Sequence, residues 1–376
     1  MPEALREVTI GRVNHPARLA WAEGLTVSLP ARVAGAMASC VNSGDLRPGT
    51  SAFDDGVVEE LRLHAAFTDQ MPASSRLPVS YQLVPPRVRT LIGRLIGVYE
   101  RRRMASWARF PKWPIDLSAD FLADLLMAEE HRGDDDTRTP VWLSHDLDTA
   151  EGLRNLTAAF LDIEEAAGAR STSYIVPCDW PIDHGSLAEV RDRGHQVGVH
   201  GYDHSNTTPF CDSDERRRRL AAAGDLIERY DIAGYRAPSL VRTRPLLTDL
   251  SAHYRYDSSI PTSGGRFPVP NNGCATARPF LIGSIVELPL SLPRDGSLRF
   301  LGFRPQAILD MWKNCADLIR RSGGHVSLLT HCEARFSGNP PMLDTYRRFL
   351  EHLNEDGRYQ FTTANTLAAA AQNASV

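Results

Sequence analysis

The sequence predicts an α/β protein in which helices cover a parallel sheet, either open or closed as a barrel. Two observations carry this reading. From Thr139 onward, short apolar runs alternate with helix-like stretches to the end of the chain, as βαβ connections require. Acids, histidines and one arginine also fall directly after several of those runs, where parallel α/β sheets collect their functional residues.

Taken in order, residues 1–138 read as an N-terminal extension of mixed and helical character, and 139–372 as the main domain. In the extension, VTIGRV, LTVSL and YQLV suit short strands, and Ser51–Phe67 suits a helix with Asp54 or Asp55 near its start. Pro85–Arg109 begins a helix after a proline pair, with Leu91, Leu95, Ile96 and Tyr99 in a stripe and six arginines around it. A basic amphipathic helix can make a peripheral contact with an anionic membrane. Because the stripe is short, the expectation is that it packs on the main domain and leaves the arginines in water. FPKWP then forms a connector, Leu117–Glu130 a helix, and Arg132–Arg138 a solvated acidic loop.

The main domain opens with a strand at Val141–Ser144 and a helix at Thr149–Ala167, closed by Gly168. Strands follow at Ser171–Val176, Gln196–His200 and up to Tyr235-Arg236, with further strands at Ile285–Leu288, His325–Thr330 and Tyr359–Thr362. Helices are expected at Ser186–Arg193, Asp212–Tyr230, Pro245–His253, Arg304–Arg321, Met342–Asn354 and Asn365–Ala371. Asp212 and Glu215 stand at capping-box spacing, and Arg216–Arg219 read as a solvated face.

The totals exclude several classes. A net charge of −4 gives no electrostatic case for nucleic acid. No GxGxxG or GxxxxGK loop supports nucleotide binding. No apolar run is long enough for a membrane span. Six cysteines without framework spacing suggest reduced thiols. With no apolar leader at the N-terminus, the expectation is a cytoplasmic protein.

The chemistry centres on VWLSHDLD (141–148). Asp146 and Asp148 stand two apart, so on an extended chain both point to one side. Such a pair calls for a bound cation or a shared proton, unless it only caps the following helix. His200 after QVGV, with His204 four residues on, supplies two imidazoles that meet if the segment turns helically. Gly201 between them permits a tight exit. Two histidines and a carboxylate are a familiar three-ligand set for zinc or a similar divalent ion. Arg236 and His331 follow two further strands.

In this order VWLSHDLD, VGVHGYDHSN, GYRAP, YDSSIP, VELPL and LLTHCE resemble the motifs of the NodB-homology polysaccharide deacetylases, carbohydrate esterase family 4. The resemblance covers Thr139 to Thr366 and implies a distorted (β/α) barrel of about seven strands. It implies that Asp146 is the general base, that Asp148, His200 and His204 bind the metal, that Arg236 orients Asp146, and that His331 is the general acid. The first motif is written Ser-His-Asp-Leu-Asp, similar to the His-Asp-Val-Asp branch of the family, which moves the second carboxylate one residue along. Asp295 is the candidate for the acid that polarises His331, and Asp257 for organising a loop.

The function so implied is metal-dependent removal of an N-acetyl group from an acetylamino sugar or glycoconjugate, with Zn2+, or Co2+, Mn2+, Ni2+ or Fe2+, as the ion. Two rivals remain at this stage. One is an amidohydrolase acting on a non-sugar C–N bond, and the other is an inactive carbohydrate-binding member of the fold. Cys332 beside His331 reads as a packing residue, and the loop Pro261–Phe280 as a wall of the substrate cleft.

Overall fold

The computed structural model describes residues 5–9, 26–30, scattered positions from 59 to 85, 86–107, and 138–374 apart from 266–272, 275 and 322. The predicted YQLV strand, the helix start at Asp54 or Asp55, the FPKWP connector, the Leu117–Glu130 helix and the acidic loop through Thr137 lie outside the described residues. In the extension, β1 (Leu5–Thr9) and β2 (Thr26–Pro30) pair antiparallel. Residues 59–60 and 62–63 are helical, and α1 spans Pro86–Trp107.

The main domain alternates as its sequence predicts. β3 (Thr139–Leu147) leads into α2, built from Ala150–Asn155, a π-helical turn Leu156–Phe160, and Leu161–Ala166. Then come β4 (Ser171–Ile175), α3 (His184–Asp192), β5 (Gln196–Val199), α4 (Ser213–Ala221), α5 (Gly224–Tyr230) and β6 (Gly234–Tyr235). Next are α6 (Arg244–Leu250), β7 (Tyr256–Asp257), β8 (Phe280–Ile282), β9 (Ile285–Glu287) and α7 (Asp295–Phe300). The chain ends with α8 (Pro305–Arg321), β10 (Val326–His331), α9 (Pro340–Glu355), β11 (Tyr359–Phe361) and α10 (Ala364–Asn373).

Among the described residues the sheet runs β10-β3-β4-β5-β6-β7-β9-β8, with β11 beside the start of β3. Every pairing is parallel except the β8–β9 hairpin. The barrel closes where that ladder ends. Leu290 N donates to Ile260 O at 3.0 Å and Leu292 N to Ser327 O at 3.0 Å. Ser291 and Ser327 exchange backbone N–H to side-chain Oγ bonds at 2.7 and 2.8 Å. Hydroxyls thus complete a seam that backbone pairing alone leaves open, and the result is a distorted (β/α) barrel.

The period of two along β3 sorts its side chains. Val141, Leu143 and Leu147 join the large core under the helices. Trp142 faces the other way, into a second core with Tyr174, Tyr256, Leu329 and the α10 residues Leu367 and Ala368. Asp146 has the parity of Trp142, so its carboxylate is sent to the inner face of the barrel at its mouth. His145 has the opposite parity. Its Nε2 lies 2.6 Å from Glu164 Oε1 on α2, its Nδ1 2.9 Å from Thr330 Oγ1, and the Tyr346 hydroxyl of α9 donates to Glu164 at 2.7 Å.

Burial pushes the Glu164 carboxyl up, but His145 and His195 overcome it and hold it below its ordinary value. A lowered carboxyl stabilises the fold above its unfolded pKa, and that stability is lost as the medium becomes more acidic. Glu164→Ala is expected to leave buried donors unmatched and cost about 3 kcal/mol or more. A drop in the urea midpoint of unfolding would report it.

Three expectations are corrected. The helix expected across Asp212–Tyr230 breaks at Ala222-Ala223 into α4 and α5, although Asp212 does cap it, accepting from Glu215 N at 2.9 Å. Arg216 is not solvated. It is buried, donating to Asp249 at 2.6 Å and to the Cys211 carbonyl at 2.8 Å, because it lies on the side of α4 that faces α6. Finally, α1 does not pack its apolar stripe on the main domain. A Cβ added at Gly97 would come within 1.9 Å of the Phe300 carbonyl oxygen, so backbone meets backbone on the glycine side and the stripe faces outward.

Candidate active site

Four strand ends place the site. Asp146 pairs in register with His331 across β3 and β10. Asp148 lies one residue beyond β3, His200 one beyond β5, and Arg236 one beyond β6. Each of these positions carries the polar residue that the sequence marks after an apolar run.

Arg236 is fully buried and all its nitrogens are engaged. Nη1 donates to Asp146 Oδ1 at 2.9 Å, Nη2 to Ser144 Oγ and Ser258 Oγ, and Nε to the Ser258 carbonyl. Its guanidinium stacks 4.0 Å from the centre of the Tyr174 ring. Burial alone would raise the Asp146 pKa, but His200, Arg236 and His331 reverse that and lower it. Asp146 is therefore an ionised carboxylate whose second oxygen remains for other partners.

His200 Nδ1 sits 3.0 Å from the Arg236 carbonyl, and a carbonyl only accepts, so Nδ1 carries the proton. Burial above all pushes the His200 pKa down to about 4, which leaves the ring neutral with the Nε2 lone pair facing the carboxylates. The 3.6 Å approaches of Nε2 to Asp146 Oδ2 and Asp148 Oδ1 are thus meetings of electron-pair donors rather than ion pairs.

His204 Nε2 comes within 3.1 Å of Asp148 Oδ1. The segment between the two histidines is not helical, contrary to expectation. Gly201 (φ +72°) and His204 (φ 57°) both take left-handed backbone, and a Cβ at Gly201 would lie 2.5 Å from the Pro238 ring. A tight loop, not a helical turn, brings the imidazoles to ring centroids 5.2 Å apart. Left-handed conformation at a non-glycine residue costs about 1–3 kcal/mol and collects at functional sites.

Asp148, His200 and His204 each offer a ligand atom within 4.8 Å of the others. Asp148 Oδ1 is buried and makes no hydrogen bond of good geometry, although burial would raise its pKa and the surrounding His204, His331 and His200 instead lower it. A buried, ionised oxygen facing two imidazole nitrogens fits a divalent cation.

Opposite this set, His331 Nδ1 lies 2.7 Å from Asp295 Oδ1. Asp295 also accepts from His331 N at 2.9 Å and from Ser337 Oγ at 2.6 Å. Burial works against protonation of His331, yet Asp295, Asp148 and Asp146 together raise its pKa to about 9. Asp257 lies outside this group. It accepts from Ser259 N and Oγ, and Ser259 in turn accepts from Ala237 N, so it shapes the loop that carries Arg236.

Sequence reasoning missed Arg335, whose Nη2 is 3.5 Å from Asp148 Oδ2, and Glu333. The Glu333 carboxyl takes a bond from Thr149 Oγ1 at 2.9 Å and is pushed up to about 7, by burial first and by Asp148 next. Both follow His331 in one loop, which was the available signal. The Pro261–Phe280 loop is described only in part, its middle lying outside the described residues.

The architecture is that of the NodB-type (β/α) barrel fold. Residues 133–252 match the family model described as polysaccharide deacetylase. A structure from Mycobacterium smegmatis, itself described as a candidate polysaccharide deacetylase, superposes with a TM-score of 0.51 at 18% identity, over 64% of this chain and 93% of that one. A protein from Pseudomonas aeruginosa PAO1 described as a probable polysaccharide deacetylase gives 0.48 at 15%, over 63% and 92%. An allantoinase gives 0.48 at 16%, over 62% and 90%. No curated protein matches the chain.

Proposed function

We propose that the chain is a metal-dependent N-deacetylase of an acetylamino sugar or glycoconjugate, and that the main domain begins near residue 139. The observation that carries this is the convergence of Asp148, His200 and His204 on one point, flanked by the Asp146–Arg236 and His331–Asp295 pairs. Asp148, His200 and His204 would hold the ion, with Zn2+ suited to two imidazoles and a carboxylate. When bound, such an ion acidifies water from about 15.7 towards 7 and polarises an acyl oxygen.

The protein's own groups do the rest. Asp146, kept ionised by Arg236, takes the proton of the attacking water. His331, held protonated by Asp295, delivers a proton to the departing nitrogen, which cannot leave as an amide anion. Acetate and a free amine result. The five described cysteines are free thiols, which supports a reducing, cytoplasmic setting. Among the described residues no helix is long and apolar enough to cross a membrane.

Metal analysis of the purified protein, paired with acetate release from a panel of acetylamino sugars, tests the proposal. Acetate from simple amides and none from sugars would move the function to a non-sugar C–N bond. Neither metal nor turnover would leave a binding module.

Asp295→Asn gives a sharper check on the acid. Among the groups that raise the His331 pKa, Asp295 comes first. Its neutralisation lowers that pKa, so the proton is lost at lower pH. The alkaline limb of the kcat profile is expected to move at least about one unit towards acid. An unmoved limb would assign it to some other group.

A further inference from the structure

We propose that the outer face of α1 docks the protein on an anionic phospholipid bilayer. Every exposed large apolar side chain among the described residues belongs to this one helix: Val88, Leu91, Ile92, Leu95, Ile96, Val98 and Tyr99. Leu95 is 66% and Leu91 59% exposed, on a helix whose opposite face is fixed. There Gly93 meets the Phe300 ring and Gly97 the Phe300 backbone. Arg101 Nη1 donates to the Gly302 carbonyl at 3.2 Å, with its guanidinium 4.2 Å from the centre of the Phe303 ring. The apolar residues recur at three- and four-residue spacing over about 17 Å of helix. They form a continuous strip that is not needed to hold α1 in place.

Charge selects the occupant. The helix carries six arginines and a single acid. That acid, Glu100, is mostly buried and lies 3.9 Å from Arg103. Arg87, Arg94 and Arg102 are exposed along the borders of the strip. A second copy of the chain laid on this face would bring arginines against arginines. A bilayer instead takes the leucines among its acyl chains and the guanidiniums at its phosphates, with the arginine stems lying along the boundary.

The helix also runs past the site. It rests on α7, whose first residue is Asp295. Docking through α1 therefore tethers the domain that carries the site to the lipid surface through α7. The binding itself requires no catalysis.

Flotation of the full chain with vesicles tests this independently of turnover. Binding is expected to vesicles of phosphatidylglycerol and phosphatidylcholine, to weaken in high salt, and to be minor with phosphatidylcholine alone. The double variants Leu91→Glu/Leu95→Glu and Arg94→Glu/Arg102→Glu should each lower partitioning at least about ten-fold, with circular dichroism unchanged because these side chains are solvent-facing. Absence of flotation overturns the proposal, as does flotation that survives both variants. So does a dimer that Leu91→Glu/Leu95→Glu converts to monomer, which would give the face to a second copy.

Discussion

Asp146→Asn is expected to keep its metal and lose about 10²–10⁴ of kcat, the range a positioned general base contributes. The amide is isosteric and can still meet Arg236, whose other donors go to Ser144, Ser258 and the Ser258 carbonyl, so the barrel mouth keeps its shape. What disappears is the proton acceptor. Asp146 Oδ2 approaches His200 Nε2 only at 3.6 Å, and the cluster of three ligand atoms does not include it. Metal content by mass spectrometry and turnover on the best acetylated substrate should therefore separate. Full activity in the variant would remove Asp146 as the base, and joint loss of metal and activity would make it a ligand.

Asp148→Ala is expected to do the reverse and empty the site of metal. Asp148 is the single anion in the cluster, facing two imidazoles, and the attraction that holds a dication depends on it. Loss of a partner beyond the ligands costs about 10–100-fold in metal affinity, and loss of the carboxylate itself should exceed that. Dialysed wild type should retain metal and the variant none, with activity absent even at elevated metal. His200→Ala should behave alike, since its Nε2 faces the same point. A stoichiometric ion in either variant would place the metal elsewhere.

Much of the site was legible because strand ends announce themselves. QVGV before His200 and VSLLT before His331 are apolar runs that stop at a polar side chain, and parity along β3 alone sends Asp146 inward. The path from His200 to His204 was not legible. Helical spacing was the natural reading of four residues, whereas the left-handed backbone at Gly201 and His204 answers to the Pro238 ring packed against the loop, which is distant in sequence. Arg335 and Glu333 were missed for a similar reason, because their approach to Asp148 and Thr149 exists only once β3 and β10 are neighbours.

The α1 helix shows the limit from the other side. Its sequence gives the amphipathic pattern but not which face is held, since a stripe of leucines ordinarily wins that contest. Here a close backbone approach at Gly97, open only where no Cβ stands, gave the contact to the glycine side.

By itself, then, the sequence determined the strand–helix alternation, the inward parity of Asp146 and the order of motifs along the chain. Each of these follows from local periodicity. Only the tertiary structure decided the seam that Ser291 and Ser327 close, the meeting of Asp148 with His200 and His204, the pairing of Asp295 with His331, and the outward face of α1. Those depend on side chains far apart in the chain excluding one another's volume and satisfying one another's charge, which no local pattern encodes.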